Sequence, residues 1–327
     1  MKNPLVTMTM YTFNQEKYIQ DSVRSVLSQT YSPLEIIISD DCSTDRTVDI
    51  IKSMLLTESC PHNVILNVNS TNMGIIRHVN KVVDMSNGEF IVGSAGDDIS
   101  FPNRVTSLVE CWQMMKVSAV FSNAACIDDA GRSYGQYYLE KKSQKIEVEQ
   151  MLKAGHTGVL GASLSYEKKA FESFGALPLD GPYEDQIIPF KAAIGKGLYY
   201  LNEELIKYRV HSENVSQWTQ MNNSTVNQWE EIRKSQLVNA IKRSEYWISY
   251  IIDSGDHLNF VKRTQKRIQI QKIELEVLTE ELVKVSEILY RSIKFLSFSK
   301  DFVRCLILII SPKTYRRLLV HRNGRFK

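Results

Sequence analysis

The sequence predicts an α/β fold in which a doubly wound, mostly parallel, Rossmann-like sheet precedes an α-helical C-terminal extension. Three observations predict it. Short apolar runs alternate with segments of helical spacing through the first third of the chain, two of those runs end in paired aspartates, and glycine and proline nearly disappear after about residue 214. Strands that alternate with helices form parallel sheets with right-handed crossovers.

The first strands and helices follow one another in the order βαβαβαβ. A β-branched run ended by turn residues predicts a buried parallel strand, and apolar residues three and four apart predict the helix after it. In chain order we expect a strand at 5–10, a helix at 18–27, a strand at 34–38, a helix at 45–57, a strand at 64–68, a helix at 75–86, a strand at 89–93 and a helix from Pro102.

The pattern is weaker between residues 116 and 210. Shorter apolar runs and turn residues predict smaller elements there. We expect a strand at 119–121, a hairpin-like turn at 131–135, a helix at 148–154, a strand at 162–165, helices at 169–174 and 183–195, and a closing hairpin formed by 198–201 and 205–210.

The remaining chain predicts long helices, so we expect a catalytic domain at 1–215 and a helical extension at 216–327. Leucine and valine repeat at alternating spacings of three and four: Leu275, Leu278, Leu282, Val285 and Leu289. This short stripe favours packing against the protein's own helices, with a homo-oligomer seam through the C-terminal helices as the alternative.

Charge and cysteine content exclude several classes of protein. The net charge is +3, but ten basic residues against one acidic residue give 291–327 a charge of +9 and leave −6 on the rest. The five cysteines are scattered without CxxC spacing, which argues against disulfide frameworks and zinc sites and fits a reducing cytoplasm. We expect no secretory leader, because the first residues run into a strand without an apolar segment of the usual length, and no membrane span, because the longest apolar run near the end, 305–310, is far below roughly 20 residues.

Two aspartate pairs mark the candidate site. Asp40 and Asp41 follow the strand at 34–38, and Asp97 and Asp98 follow the strand at 89–93. Ligands of open α/β sheets bind at the carboxyl ends of strands, beside helix N-termini. The pairs therefore suit a sugar, a base or a divalent metal, while helix capping is the structural alternative.

Six strings in chain order carry a resemblance that covers about two-thirds of the chain, from Pro4 to Ser216. They are VTMTMYTFNQEKYI, SVLSQTYSPLEIIISDDCSTDRT, NMGIIRHVN, GEFIVGSAGDDISFPNRV, YEDQIIPFKAAIGKG and LIKYRVHSENVS. In these strings the chain resembles the family 2 glycosyltransferases, which have the GT-A nucleotide-sugar-binding fold. The resemblance implies an inverting glycosyltransferase that uses a nucleotide-sugar donor, expected to be UDP-linked.

The resemblance also implies a Mn²⁺ or Mg²⁺ site. The family's DxD motif falls on Ala95-Gly96-Asp97, so Asp97 takes the metal position, Asp98 stands beside it, and Ala95 replaces the first aspartate. Carboxylate oxygens suit both cations, and a metal that bridges a diphosphate stabilises the charge of the leaving group. His211, in the string YRVH, matches a family histidine that is a further candidate for the metal or diphosphate.

For the nucleotide, the resemblance implies contacts from the first loop and from the second strand. Asp41 is expected to bond the imide edge of the base, with Asp40 alongside and Asn14 in the same loop. Phe13 is expected to stack on the base, with Tyr11 as the competing aromatic. Ordinary packing of a buried aromatic side chain is the alternative for Phe13. Arg77 is a candidate diphosphate contact, although it lies two residues before the position of the family's arginine, which is Val79 here.

For the acceptor, the family uses the aspartate of an ED motif as the general base. Asp185 matches it, and Glu184 stands beside it on the acceptor side. A helix N-terminus stabilised by acidic side chains is the structural alternative.

The basic tail alternates apolar and basic residues between Phe302 and Leu319, which suits an anionic membrane surface as well as a solvated tail. We expect a cytoplasmic enzyme, at the inner face of the membrane if the tail binds lipid, that acts on a glycan or lipid-linked acceptor of bacterial surface polysaccharide. We expect no nucleic acid partner, because no aromatic and basic reading module is present.

Two other functions remain open. A sugar nucleotidyltransferase would have a glycine-rich loop after the first strand, and YTFNQEKY has no glycine. The second is a non-catalytic binding or scaffold protein of the same fold. Only one feature favours it, which is Ala95 in place of the first aspartate of the DxD motif.

Overall fold

A computed structural model describes residues 3–211, 226–254 and 260–279. It divides into two compact units, with the first ending at Val210 and the second starting at His211. The predicted boundary at 215/216 lies outside the described residues and stays a prediction.

The first half of the first unit is the predicted alternation of strands and helices. Its elements are β1 (Val6–Thr12), α1 (Ile19–Leu27), β2 (Leu34–Asp40), α2 (Thr47–Thr57), β3 (Asn63–Val68), α3 (Ile75–Met85) and β4 (Phe90–Ala95). The strands are parallel in the order β3-β2-β1-β4. Every residue of β2 is buried, as expected for a central strand with helices on both faces of its sheet.

The second half extends this sheet with mixed pairing. Its elements are β5 (Ile99–Ser100), α4 (Arg104–Met115), β6 (Ala119–Ile127), β7 (Ser133–Gln136), β8 (Gln144–Ile146), α5 (Val148–Ala154), β9 (Leu164–Glu167), α6 (Lys168–Phe174), α7 (Glu184–Ile194) and β10 (Leu198–Arg209). The order continues β4-β9-β6-β10-β5, and β9 is antiparallel to both of its neighbours. The prediction of an α/β fold with a mostly parallel sheet is confirmed.

The predicted closing hairpin of 198–201 and 205–210 is wrong. These residues form one long strand, β10, which runs parallel to β6 along its whole length. The polar residues between the two apolar runs do not reverse the chain. The pairing of β10 with β6 is irregular between Leu201 and Ile206. These irregularities accommodate the additional residues of β10 while the strand continues.

The core of the first unit lies between the sheet and helices α1, α2 and α4. Side chains such as Met8, Ile36 and Val23 are completely buried in it. Each such aliphatic side chain contributes roughly 1.5–3 kcal/mol of hydrophobic stabilisation. On the same side, the Phe90 and Trp112 rings stack with centroids 4.5 Å apart. This core holds the strand ends, which carry the aspartates, in a fixed arrangement.

The described part of the second unit consists of two helices, α8 (Val226–Ser254) and α9 (Val261–Thr279). Arg233 and Glu274 join them through an ion pair of 2.7 Å that is largely buried. The helical extension is confirmed for these residues. Of the predicted leucine and valine stripe, the members beyond Thr279 lie outside the described residues, as does the basic tail of 291–327.

Among the described residues, the helices are too short or too polar to cross a lipid bilayer.

Candidate functional site

The candidate site is built around the carboxyl end of β1. The loops that follow its two neighbouring strands are both hydrogen-bonded to it. The Asp41 amide donates to the Thr12 carbonyl at 2.9 Å, and the Gly96 amide donates to the Tyr11 carbonyl at 3.0 Å. A Cβ atom at Gly96 would collide with Gln15 and Thr12. Only glycine therefore lets the loop with Asp97 approach β1 so closely.

Asp40 is completely buried and shapes the loop that follows it. Its Oδ1 accepts from the Ser43 amide at 2.8 Å, and its Oδ2 accepts from the Ser43 and Thr12 hydroxyls at 2.5 and 2.8 Å. Three donors occupy three of its about four acceptor positions, and because the side chain is completely buried the remaining position on Oδ1 is not exposed to solvent. Asp40 therefore holds the loop after β2 in place.

Asp41 organises the turn before α3. Its Oδ1 accepts from Asn69 Nδ2 at 2.9 Å and from the Met73 amide at 3.0 Å, and its Oδ2 accepts from the Gly74 amide at 2.9 Å. Gly74 has a φ of 76°, which glycine adopts without strain. Three donors occupy three of about four acceptor positions, which leaves Oδ2 one position for a ligand N–H.

Two loops meet where the predicted base-binding residues lie. The Asn14 Oδ1 accepts from the Thr44 amide, and the Asn14 amide donates to the Ser43 hydroxyl, both at 2.8 Å. Asn14 thus joins the loop after β1 to the loop after β2. Next to it, the Phe13 side chain is 44% exposed, so its ring is available to a ligand.

Tyr11 occupies a different environment from Phe13. Its hydroxyl is buried without a hydrogen-bond partner, and its ring meets the His78 ring edge-on with centroids 5.2 Å apart. Burial is the main cause that raises the pKa of Tyr11 above its ordinary value. The geometry favours Phe13 over Tyr11 as the aromatic that stacks on a base.

His78 is a buried polar residue of the site that sequence reasoning missed. Its Nε2 lies 2.6 Å from the Ser39 hydroxyl. Burial lowers the pKa of His78, although the charges of Asp41 and Asp40 act in the opposite direction. Arg77, the neighbouring candidate, is exposed on α3.

Asn80 links α3 to the loop before α7. Its Nδ2 donates to the Leu177 carbonyl at 2.9 Å, and its Oδ1 accepts from the Leu177 amide at 2.8 Å. The helix α3 is thereby tied to the segment that leads to Glu184 and Asp185.

The two aspartates after β4 have different surroundings. Asp97 is half-buried. Asp98 is buried, its Oδ1 accepts from the Arg209 amide at 2.9 Å, and its Oδ2 has no hydrogen-bond partner. Burial, followed by the Asp97 charge, raises the pKa of Asp98 well above its usual range.

Two arginines that sequence reasoning missed surround this aspartate pair. Arg209 donates through Nε to the Asp97 carbonyl at 3.0 Å, and through Nη1 to the carbonyls of Asp128 and Asp129 at 3.1 Å. Arg104 is completely buried and donates to the Gly93 carbonyl and the Ala162 carbonyl at 2.6 Å. Arg209 stands in the string YRVH, two residues before the histidine that the resemblance marks.

The donor set at Asp97 and Asp98 fits a hard divalent cation. Asp97 offers a half-buried carboxylate, and Asp98 offers Oδ2, a buried oxygen without a hydrogen-bond partner. Mg²⁺ is typically held by one or two carboxylates together with substrate phosphates. Within the described ranges, no three His, Cys, Asp or Glu side chains form a metal site by themselves. His211 begins the second unit, and its role stays a prediction.

Glu184 and Asp185 are the first residues of α7 and face Gly161. A Cβ atom at Gly161 would lie 3.3 Å from Glu184 Oε1 and 3.4 Å from the Asp185 Cβ, which is a tight approach. Glu184 Oε2 is buried without a hydrogen-bond partner. Burial, followed by the Asp185 charge, raises the pKa of Glu184 from 4.5 to about 8.

A network of hydrogen bonds holds the start of α7 in place. The Thr157 hydroxyl donates to the Asp185 carbonyl at 2.7 Å, and the Thr157 amide donates to Gln186 Oε1 at 3.2 Å. The Glu184 charge also adds, after burial, to the rise of the Tyr11 pKa. The start of α7 adjoins β4, because Glu184 and Asp185 approach Gly161, and Arg104 bonds both Gly93 of β4 and Ala162, the residue after Gly161.

Comparison with known sequences decides the family. The profile of "Glycosyl transferase family 2" matches residues 7–175. The chain belongs to glycosyl transferase family 2. The predicted resemblance, and with it the enzyme class of glycosyltransferase, is confirmed at the level of the family.

Three individual proteins also resemble this chain. The putative glycosyltransferase EpsE of Bacillus subtilis is 35% identical over 106 residues, which cover 32% of this chain and 37% of EpsE. The putative teichuronic acid biosynthesis glycosyltransferase TuaG of the same organism is 25% identical over 238 residues, 72% of this chain and 87% of TuaG. The crystal structure of S. aureus TarS 1-349 in complex with UDP-GlcNAc has a TM-score of 0.60 at 15% identity, covers 98% of this chain and 89% of that chain, and confirms the fold.

Proposed function

We propose that this protein is an inverting, divalent-metal-dependent glycosyltransferase that moves a sugar from a UDP-linked donor to a glycan or lipid-linked acceptor. One observation carries the proposal. The loops that carry Asp41 and Asp97 are both bonded to the end of β1. The start of α7 adjoins the neighbouring strand β4, because Arg104 bonds both Gly93 and Ala162, next to the glycine that Glu184 and Asp185 approach. The family to which the chain belongs gives this arrangement its reaction class.

The nucleotide side is proposed to read a uracil base. Asp41 has one free acceptor position on a carboxylate that is otherwise held by Asn69, Met73 and Gly74. Uracil presents an imide N–H that such an oxygen accepts. The exposed Phe13 ring offers a face for stacking, which is worth about 1–3 kcal/mol per base in nucleic-acid complexes. TarS, which shares the fold, has been crystallised with UDP-GlcNAc.

The cation is proposed to be held by Asp97, with the Asp98 carboxylate behind it. Mn²⁺ or Mg²⁺ at this position would stabilise the negative charge that grows on the leaving diphosphate. Asp97 is positioned for this by the protein itself, because Arg209 holds its carbonyl and Gly96 holds the loop against Tyr11.

Asp185 is proposed to act as the general base. The acceptor oxygen forms a bond to the anomeric carbon while the bond from that carbon to the diphosphate breaks, and the hydroxyl proton passes to the Asp185 carboxylate. Attack from the face opposite the leaving group inverts the anomeric centre. Glu184, whose pKa is raised to about 8, stays largely protonated at neutral pH. The charge of Asp185 contributes to that rise, since neighbouring carboxylates disfavour double ionisation.

The biological setting is proposed from the relatives. TuaG is named for teichuronic acid biosynthesis, and the present chain covers 87% of it. We infer a place in the synthesis of a bacterial surface polysaccharide, in the cytoplasm at the inner face of the membrane. The basic tail at 291–327 supplies positive charge for such a surface.

The test uses a panel of UDP-, GDP- and dTDP-sugars with and without Mn²⁺, scored for donor hydrolysis and for transfer to added glycans. We expect turnover of a UDP-sugar only with the cation. Asp185→Asn should lower turnover by about 10²- to 10⁴-fold. Asp180→Asn, which changes an exposed acid in the preceding loop, should leave it unchanged. Binding without turnover of any donor would support a non-catalytic protein of the same fold, and unchanged turnover in folded Asp185→Asn would remove Asp185 from its role.

A further inference from the structure

The loop after β7 presents an aromatic surface near Asp185 that the proposed reaction does not yet use. Tyr137 is 41% exposed, although it is a large aromatic side chain. Its main chain is fixed, because its amide donates to the Ala124 carbonyl at 2.8 Å. The residue is therefore an exposed ring on a well-anchored segment.

The Tyr137 ring is held at its edges by two other rings. Its centroid lies 4.8 Å from that of Tyr138 at an interplanar angle of 74°, and 5.6 Å from that of Tyr208 at 88°. Edge-to-face contacts of this kind stabilise an aromatic side chain in one orientation. A ring that is both exposed and held in place offers a preorganised contact surface to a ligand, which lowers the entropic cost of binding.

Hydrogen bonds connect this surface to the start of α7. The Tyr138 hydroxyl donates to the Gly158 carbonyl at 3.0 Å and accepts from the Leu160 amide at 2.6 Å. In the same loop, the Thr157 hydroxyl donates to the Asp185 carbonyl. The segment that carries Tyr137 and the residue proposed as general base are thus joined through one loop of five residues, 157–161.

The electrostatics agree with this proximity. Although 41% of Tyr137 is exposed, the rest of the residue is covered, and this partial burial, followed by the charge of Asp185, raises the pKa of Tyr137 to about 12. A second half-exposed tyrosine, Tyr183, directly precedes Glu184 and is 40% exposed. Exposed aromatic side chains therefore occur on two segments that adjoin the carboxylate pair.

We propose that Tyr137 is the platform of the acceptor subsite and packs its ring against the pyranose ring of the acceptor sugar. The inference rests on the proposed function, since it takes Asp185 as the acceptor side of the site. The C–H face of a pyranose is apolar and matches an aromatic ring, whereas its hydroxyls remain free for polar groups. Phe13 lies on a different segment, the loop after β1, so Phe13 and Tyr137 are proposed to contact different ligands, a base and a sugar.

The test measures saturation-transfer NMR from the protein, in the presence of UDP and Mn²⁺, to four probes: methyl β-D-glucopyranoside, methyl α-D-mannopyranoside, methyl α-L-rhamnopyranoside and methyl N-acetyl-β-D-glucosaminide. We expect transfer to the ring protons of at least one probe. In Tyr137→Ala that binding should weaken by about threefold to tenfold, whereas Tyr137→Phe should keep it. The matched control is Tyr134→Ala, which removes a tyrosine that is 62% exposed on β7 and should not change binding.

Three results would overturn the proposal: no probe receives saturation in the wild type, Tyr137→Ala binds as well as the wild type, or Tyr134→Ala loses binding equally. The thermal unfolding midpoint of each variant establishes that it is folded. Donor hydrolysis requires no acceptor sugar, so it separates the two proposals. If Tyr137→Ala keeps donor hydrolysis but loses probe binding, both the glycosyltransferase function and the acceptor platform are supported. If the probes bind normally but no donor is hydrolysed, only the proposed glycosyltransferase function is rejected.

Discussion

The main-chain amide of Arg209 donates to Oδ1 of Asp98 at 2.9 Å, and the same residue's Nε donates to the carbonyl of Asp97 at 3.0 Å. The last strand of the sheet, β10, therefore holds the loop that carries the proposed metal ligand. The Arg209 side chain is almost completely buried and lies over the Tyr18 ring at 4.7 Å. Arg209 thus links this loop to α1 and to the turn at 128–129.

Arg209→Lys should destabilise the protein by about 3 kcal/mol, because a lysine cannot reach three carbonyls at once and leaves buried acceptors unpaired. The measurement is the free energy of unfolding in urea. Arg132→Lys is the control, since Arg132 is 81% exposed and pairs with Asp128 at 2.9 Å, and its effect should stay within about 0.5 kcal/mol. Equal effects of the two changes would contradict the anchoring role of Arg209.

Phe13→Ala should weaken UDP binding by about tenfold to 100-fold, which corresponds to the loss of one stacked aromatic contact. Because the side chain is 44% exposed, the thermal unfolding midpoint should hardly change. Titration calorimetry with UDP measures the effect, and Phe13→Trp should retain binding. Phe13→Ala that binds UDP like the wild type would assign the stacking role to another side chain.

The fold was predictable from the sequence where local patterns and tertiary structure agree. The run from Leu34 to Ile38 is β-branched and apolar, ends in aspartates, and forms the buried strand β2. The pattern failed at β10, where polar residues near Asn202 indicated a turn. Whether such residues form a turn or a bulge depends on the neighbouring strand, because β6 pairs with both halves of β10. The residues around Asn202 do not by themselves show which strand β10 pairs with.

The sequence predicts the acidic residues of the candidate site but does not predict the residues that hold them in place. Asp41, Asp97 and Asp185 follow strand ends or open a helix, and these positions are visible in the sequence. The residues that hold them come from distant parts of the chain: Asn69 bonds Asp41, Arg209 bonds the main chain of Asp97, and Thr157 bonds that of Asp185. No fixed sequence spacing marks contacts between residues so far apart in the chain, so only the folded structure reveals them.

Glu184→Gln should flatten the dependence of stability on pH. The pKa of Glu184 is raised from 4.5 to about 8 in the folded protein. Below pH 4.5 the side chain is protonated in both states, and its contribution to stability is fully present. As the pH rises towards 8, the unfolded chain releases the proton more readily, so this contribution is lost.

Thermal unfolding midpoints at pH 5 and pH 8 measure the difference. The wild type should lose more stability over this interval than Glu184→Gln. Glu172→Gln, which alters an exposed glutamate of α6, should behave like the wild type. An unchanged pH dependence in Glu184→Gln would show that Glu184 is not held protonated in the fold.

Tyr138→Phe should lower kcat for glycosyl transfer by about tenfold or more and leave the KM for the donor unchanged. The variant keeps the ring in its aromatic cluster but removes the hydroxyl that bonds Gly158 and Leu160. The loop at 157–161 then loses its anchor, and with it the Thr157 contact that positions Asp185. Misplacement of a catalytic group by about 1 Å can cost 10²-fold in rate.

Tyr200→Phe is the matched control for this change. Tyr200 belongs to the same cluster, with its centroid 5.3 Å from that of Tyr138, but its hydroxyl bonds Glu140 and Asn202 rather than the loop at 157–161. Both variants lose one hydroxyl and should be destabilised to a similar extent. Only Tyr138→Phe should slow transfer and speed hydrogen exchange at the Leu160 amide, because only its hydroxyl accepts from that amide. Equal losses of kcat in the two variants would mean that the cluster acts through general stability, whereas a selective loss assigns Tyr138 to the positioning of Asp185.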